Sequence, residues 1–235
     1  MGGALTTIGF DADDTLWHNE RYFALSHDRF AALLAEHSER DHLMARLLEA
    51  ERRNLPHYGY GIKGFTLSMI ETAIEVTEGK VPAEVIGDLL AAGREMLDHP
   101  IELLPHVEDV LETLRGDYRL IVVTKGDLLD QERKLAQSGL RERFDAVEIV
   151  SHKTEAAYRH IFKQHGQGAA RGLMVGNSLA SDVRPMIEAG GWGVYVPHDL
   201  TWAMEHAKPP TNSPRFAEIN DLSGLPETVK KIVSG

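Results

Sequence analysis

Hydrophobic positions along the chain fall into two regimes. Leu5-Thr6-Thr7-Ile8-Gly9-Phe10 is a short β-prone run that stops at Asp11-Ala12-Asp13-Asp14-Thr15. That is the pattern of a buried strand with acids at its carboxyl end. From about Asn19 to Asp98 the apolar spacing turns helical, through Phe23, Phe30, Leu33 and Leu34, then Leu43, Leu47 and Leu48, then Ile70, Ala73 and Ile74. Pro82 predicts the start of a further helix, with Val85, Ile86, Leu89, Leu90 and Leu97 on its apolar side. Leu55–Phe65 holds one proline and three glycines and is expected to be a loop; its Tyr58, Tyr60 and Lys63 are candidate substrate contacts.

After Pro100 the pattern alternates. Pro105 leads a helix through Val107, Val110, Leu111 and Leu114, and the strand Leu120–Thr124 follows. The next helix is expected to end at Ser138, before Gly139. Then come a strand Ala146–Val150, a helix Thr154–His165, a strand Gly172–Val175, a helix Ser181–Ala189 and a strand Gly193–Val196. Strands alternating with helices predict an α/β fold, a parallel sheet covered on both faces. Ligands bind such sheets beyond the carboxyl ends of the strands.

Composition narrows the classes. The chain has 235 residues and no cysteine, which removes disulfides, thiolate metal sites and thiol catalysis. Its formal charge of −11 argues against nonspecific binding to nucleic acid or anionic membrane. The longest apolar run, Ala189–Pro197, has nine residues, far short of the roughly 18–20 a membrane span needs. The N-terminus lacks the basic and apolar regions of a signal peptide, so a cytoplasmic protein is expected. Met1–Thr6 matches the short N-myristoylation pattern, but the residues that follow are needed for the first strand.

The strand ends assemble a chemistry. Asp11 and Asp13 follow the first strand, Thr124 ends the second, Lys153 follows the third, and Asn177, Ser178 and Asp182 follow the fourth. A carboxylate can attack phosphorus and split hydrolysis into two steps. Attack on a phosphate dianion then needs a divalent metal and a cation to cancel charge. A second carboxylate two residues on can protonate the leaving oxygen and later deprotonate water. Thr124 and the backbone N–H groups of Lys125 and Gly126 suit phosphate oxygens, and Asp14 is a further candidate substrate contact. An EF-hand is excluded, because its sixth and twelfth positions would be Leu16 and Tyr22.

Asp11-Ala12-Asp13-Asp14-Thr15-Leu16 resembles the first motif of the haloacid dehalogenase superfamily, Asp-x-Asp-x-Thr. Thr124 resembles its second motif and Lys153 its third. Gly176-Asn177-Ser178-Leu179-Ala180-Ser181-Asp182 is similar to the fourth, with Asn177 where the family usually has Asp. The resemblance implies a Rossmann-like core, residues 1–17 and 99–235, with a helical cap inserted as residues 18–98. It implies that Asp11 is nucleophile and metal ligand and that Asp13 is general acid/base with a metal-binding carbonyl. Thr124 would bind the phosphoryl group, Lys153 neutralise charge, and Asp182 and Asn177 complete a Mg2+ site. An acid at position 13 favours phosphate-ester hydrolysis over dehalogenation, since a halide leaves without a proton. The expectation is a phosphatase acting on a small phosphorylated metabolite; a phosphomutase and a non-catalytic phosphate-binding protein are the alternatives. His18 and His152 lie close to the motifs in sequence, and Trp17 is expected to pack at the hinge.

Overall fold

The computed structural model describes residues 5–234, so the Met1–Ala4 part of the myristoylation pattern lies outside the described residues. Six parallel strands form one sheet in the order β3-β2-β1-β4-β5-β6. They are β1 (Thr7–Phe10), β2 (Arg119–Lys125), β3 (Ala146–Val150), β4 (Gly172–Gly176), β5 (Trp192–Tyr195) and β6 (Phe216–Glu218). Phe10 pairs with Val122 on β2 and with Val175 on β4, so three chains leave the sheet side by side at its carboxyl edge. The strand order reverses at β1, and such reversals open a crevice where ligands sit.

The chain divides into two compact units. The first comprises residues up to Glu20, Ile101–Lys125 and the chain from Glu132, and holds the sheet. Alternating residues of its strands feed two cores. Ile8, Phe10, Leu120, Val122, Leu173 and Val175 pack with α5 (Val107–Leu114) and α9 (Leu225–Ser234). Ile121, Val123 and Met174 pack on the other side with α7 (Glu155–His165) and α8 (Arg184–Glu188). Burial on both faces explains why these strands read as unbroken apolar runs.

The second unit comprises Arg21–Pro100 and Gly126–Gln131. The sequence placed this helical segment at 18–98 and left 126–131, the start of α6 (Leu128–Gln137), with the sheet. Its helices are α1 (Glu20–Leu33), α2 (Arg40–Tyr58), α3 (Ile62–Val76) and α4 (Ala83–Asp98). Phe30, Leu34, Leu43, Leu47, Phe65, Met69 and Leu89 form their shared core. Thr66, Ser68 and Thr72 on α3 are buried, and each donates its hydroxyl to the carbonyl four residues earlier, at 2.8, 2.9 and 2.8 Å.

Two expectations are corrected here. The predicted loop Leu55–Phe65 shrinks to Gly59–Gly61, because α2 continues through Pro56 to Tyr58 and α3 starts at Ile62. Pro56 stands in the final turn, where it removes the ladder bond to Arg52 O but leaves only two helical residues beyond it. Asn54 ties that end of α2 to α3 by donating to Ser68 Oγ at 3.2 Å and Glu71 Oε2 at 2.5 Å. The break itself rests on Gly59 and Gly61, at φ 70° and 112°. The predicted helix Ser181–Ala189 is instead a π-helical turn, Leu179–Val183, followed by the short α8. Ser178 caps that turn by accepting from Ser181 N–H at 2.9 Å, and Pro185 lacks the N–H of a regular ladder. Strand β6, three residues long, and helix α9 were not anticipated.

Candidate active site

The site starts at the end of β1. Asp11 N–H extends the ladder to Val175 O at 2.9 Å, and its carboxylate is buried with one donor on each oxygen. Thr15 Oγ1 reaches Oδ2 at 3.1 Å, and the ammonium of Lys153 pairs with Oδ1. Lys153, on the loop between β3 and α7, also donates to Asp182 Oδ1 at 2.6 Å. Ser178 N–H donates to the other Asp182 oxygen at 2.9 Å. Asn177 N–H donates to Thr15 Oγ1 at 3.1 Å, and Asn177 Oδ1 lies 3.4 Å from that hydroxyl. Ends of β1, β3 and β4 thus meet in one cluster of two buried carboxylates, one buried ammonium and the half-buried Asn177 amide.

Electrostatics follow from that burial. Loss of solvent and the neighbouring Asp182 carboxylate push the Asp11 pKa up to about 7, with Lys153 acting in the opposite direction. Burial disfavours the Lys153 cation, but Asp11 and Asp182 together outweigh it and hold its pKa above the ordinary lysine value. Tyr158 lies beneath, fully buried, donating to Ser181 O at 3.0 Å. Burial and the same carboxylates raise its pKa well above the usual phenol range.

Asp13 is placed two residues on. Its Oδ1 accepts from Trp17 Nε1 at 2.8 Å and from Lys134 Nζ at 3.0 Å, and Lys134 also donates to Asn19 Oδ1 at 2.8 Å. Trp17 is buried, as a packing residue would be, and binds the acid as well. Thr124 is buried at the end of β2. Lys125 donates to Ser181 Oγ at 2.8 Å and pairs with Glu205.

The remaining candidates are placed differently. Asp14, at φ 59°, turns its carboxylate to the start of α1, accepting from Asn19 N–H at 2.8 Å and Glu20 N–H at 3.0 Å. It is thereby engaged as a cap, with burial raising its pKa to about 6. Gly126, Tyr58, Tyr60 and Lys63 belong to the helical unit. There the Lys63 ammonium is held by both oxygens of Asp127 at 2.9 Å, and Tyr58 is exposed. His152 is exposed, and the His18 ring stands 6.0 Å from that of His198. Sequence reasoning missed Lys134 and Glu205. A lysine on an amphipathic helix carries no sign of facing inward, and Glu205 lies in a segment without periodicity.

The side chains here that could hold a divalent metal are all hard-oxygen donors: the Asp11 and Asp182 carboxylates and the Asn177 amide. Among the described residues no three His, Cys, Asp or Glu side chains gather as a metal cluster. Two carboxylates with a neutral amide suit magnesium, which keeps waters in its remaining positions.

A parallel sheet with an acid-bearing first strand and a lysine bridging two carboxylates defines a hydrolase of the haloacid dehalogenase type. The chain belongs to the haloacid dehalogenase-like hydrolase family, whose model matches residues 5–190. It is similar to a haloacid dehalogenase-like family hydrolase from Xanthomonas campestris, 40% identical, covering 99% of this chain and 94% of that one with a TM-score of 0.89. The HAD-hydrolase YfnB of Bacillus subtilis, a structure bound to magnesium, is 18% identical over 97% of this chain and 99% of its own, with a TM-score of 0.67. The pyrimidine 5'-nucleotidase YjjG of Escherichia coli is 30% identical over 93 residues, 37% of this chain and 41% of that relative. No helix among the described residues is long and apolar enough to cross a membrane.

Proposed function

We propose that this hydrolase is a cytoplasmic, magnesium-dependent phosphatase acting on a small phosphate monoester through an aspartyl-phosphate at Asp11. The observation that supports it best is Asp13, an acid two residues after the buried Asp11 carboxylate and held by Trp17 and Lys134. An alkoxide leaving group needs a proton at its oxygen; a halide does not.

In the first step an Asp11 carboxylate oxygen attacks phosphorus, the bond to the leaving oxygen breaks, and Asp13 gives that oxygen its proton. In the second, Asp13 takes a proton from water, the water oxygen attacks phosphorus, and the bond to Asp11 breaks, releasing inorganic phosphate. Thr15 and Lys153 orient the Asp11 carboxylate through both steps, and Lys153 offsets the charge that accumulates as two anions approach. Thr124 is the donor to a phosphoryl oxygen. Magnesium, held by Asp11, Asp182, Asn177 and the Asp13 carbonyl, would supply the positive charge that favours ionised Asp11. Likeness to a pyrimidine 5'-nucleotidase makes nucleoside monophosphates the first substrates to try.

The test is hydrolysis of p-nitrophenyl phosphate and a panel of nucleoside and sugar monophosphates, with magnesium and with chelator. Phosphate release that needs the metal and vanishes in Asp11→Asn is expected. Metal-independent turnover, or halide release from a haloacid without phosphatase activity, would count against it.

A further inference from the structure

Between β5 and β6 the chain makes a long excursion, and its Ala203–Glu205 turn brings one carboxylate back to the first unit's catalytic edge. Glu205 has 13% of its side chain exposed and is surrounded by donors. Its Oε2 accepts from Ser181 Oγ at 2.6 Å and from Ser178 Oγ, while its Oε1 pairs with the Lys125 ammonium. Lys125 also donates to Ser181 Oγ at 2.8 Å. Burial alone would raise the carboxyl pKa of Glu205, but Lys125 and the two serines hold it below the usual glutamate range.

Each partner borders a residue of the proposed chemistry. Lys125 follows Thr124. Ser178 and Ser181 belong to the turn that carries Asp182; Ser178 N–H binds Asp182 Oδ2 at 2.9 Å, and Ser178 O accepts from Asp182 N–H at 2.9 Å. Ser178 Oγ also caps the π-helical turn through Ser181 N–H. One carboxylate therefore joins the end of β2 to the turn after β4, which are not neighbours in the sheet because β1 lies between them.

We propose that Glu205 is a positioning residue, a clamp that fixes the Thr124–Lys125 backbone and the Asp182 turn relative to each other. This rests on the phosphatase reading, because the groups it aligns are those assigned to phosphoryl binding and to metal. Glu205 itself touches neither reacting atom. Misplacement of such groups by about 1 Å can cost on the order of a hundredfold in rate, so the clamp bears on turnover as well as on folding.

The experiment compares wild type with Glu205→Gln, which keeps length and one acceptor oxygen but loses the charge facing Lys125, and with Lys125→Met and the double variant. Three quantities are read: the melting temperature without ligand, its rise on adding magnesium with inorganic phosphate, and kcat and KM with the magnesium concentration for half activation. For Glu205→Gln the expected result is a lowered melting temperature, because Lys125 loses its charged partner, together with a smaller ligand-induced rise, and kcat/KM of the folded protein down about tenfold with a raised magnesium requirement. The double variant should lose no more than either single variant, because both act through one contact. Wild-type kcat/KM and magnesium dependence in Glu205→Gln, or activity lost only in proportion to unfolded protein, would overturn the clamp. The ligand-induced rise needs no turnover: if wild type hydrolyses no phosphate ester, the phosphatase reading fails, whereas equal rises in wild type and Glu205→Gln overturn the clamp.

Discussion

The Lys134 ammonium lies 3.0 Å from Asp13 Oδ1, the oxygen that Trp17 Nε1 reaches at 2.8 Å. A buried cation from α6 thus bears on the acid proposed to protonate the leaving group. Lys134→Met removes the charge-assisted hydrogen bond that, with Trp17, fixes the Asp13 carboxylate. Misplacing a catalytic group in this way should lower turnover by up to about a hundredfold. The loss should be larger for alkyl phosphates than for p-nitrophenyl phosphate, whose phenolate leaves with little help. Equal losses on both would show that Lys134 does not act through Asp13.

Lys153 stands between Asp11 and Asp182, and all three are buried. Lys153→Met leaves two carboxylates facing each other without a cation. Removing one member of a buried ion pair costs about 3–5 kcal/mol, so the variant should melt well below wild type near neutral pH. The difference should narrow at lower pH, where Asp11, already raised to about 7, takes up a proton. Melting curves at pH 5 and pH 8 check this, and activity should be lost at both.

Gly176 closes β4 beside Asp182. A Cβ built there would lie 2.2 Å from Asp182 Oδ2 and 2.8 Å from Asp182 Cβ. The short Asp side chain cannot swing clear without the turn moving. Gly176→Ala should abolish turnover while the sheet still folds, visible as native circular dichroism without phosphate release. Activity within twofold of wild type would show that the Asp182 position is not critical.

His27 gives the helical unit a pH dependence. Its ring packs edge-on to Phe65 at 5.3 Å, and burial, then the nearby Arg40 charge, depresses its pKa below 6.5. The unfolded chain therefore binds a proton at a pH where the folded one does not. Stability should be full above pH 6.5 and decline as pH falls through the folded value. In His27→Phe that share of the decline should disappear, measured by denaturant unfolding between pH 7.5 and 5.5.

Much of the architecture was legible because a parallel sheet buried on both faces writes itself as short apolar runs. Leu120–Thr124 and Gly172–Val175 are such runs, and Asp11, Thr124 and Asp182 stand near their ends. What escaped depended on tertiary packing. Asn54 stabilises the end of α2 across a proline that local rules would take as a break. Asp14 caps a helix from five and six residues away, outside the usual cap spacing, so its carboxylate looked available for substrate. Lys134 and Glu205 are charged residues in surface-like contexts, and only the fold turns them inward.

The central claim, that Asp11 carries a phosphoryl group during turnover, is tested most directly by acid-quenching the protein within one turnover of a phosphate monoester with magnesium. Mass spectrometry then maps any adduct. A hydroxylamine-labile phosphoryl group on the peptide containing Asp11, absent from Asp11→Asn, is the predicted result. Phosphate release by wild type with no such adduct, or with undiminished release by Asp11→Asn, would contradict the account.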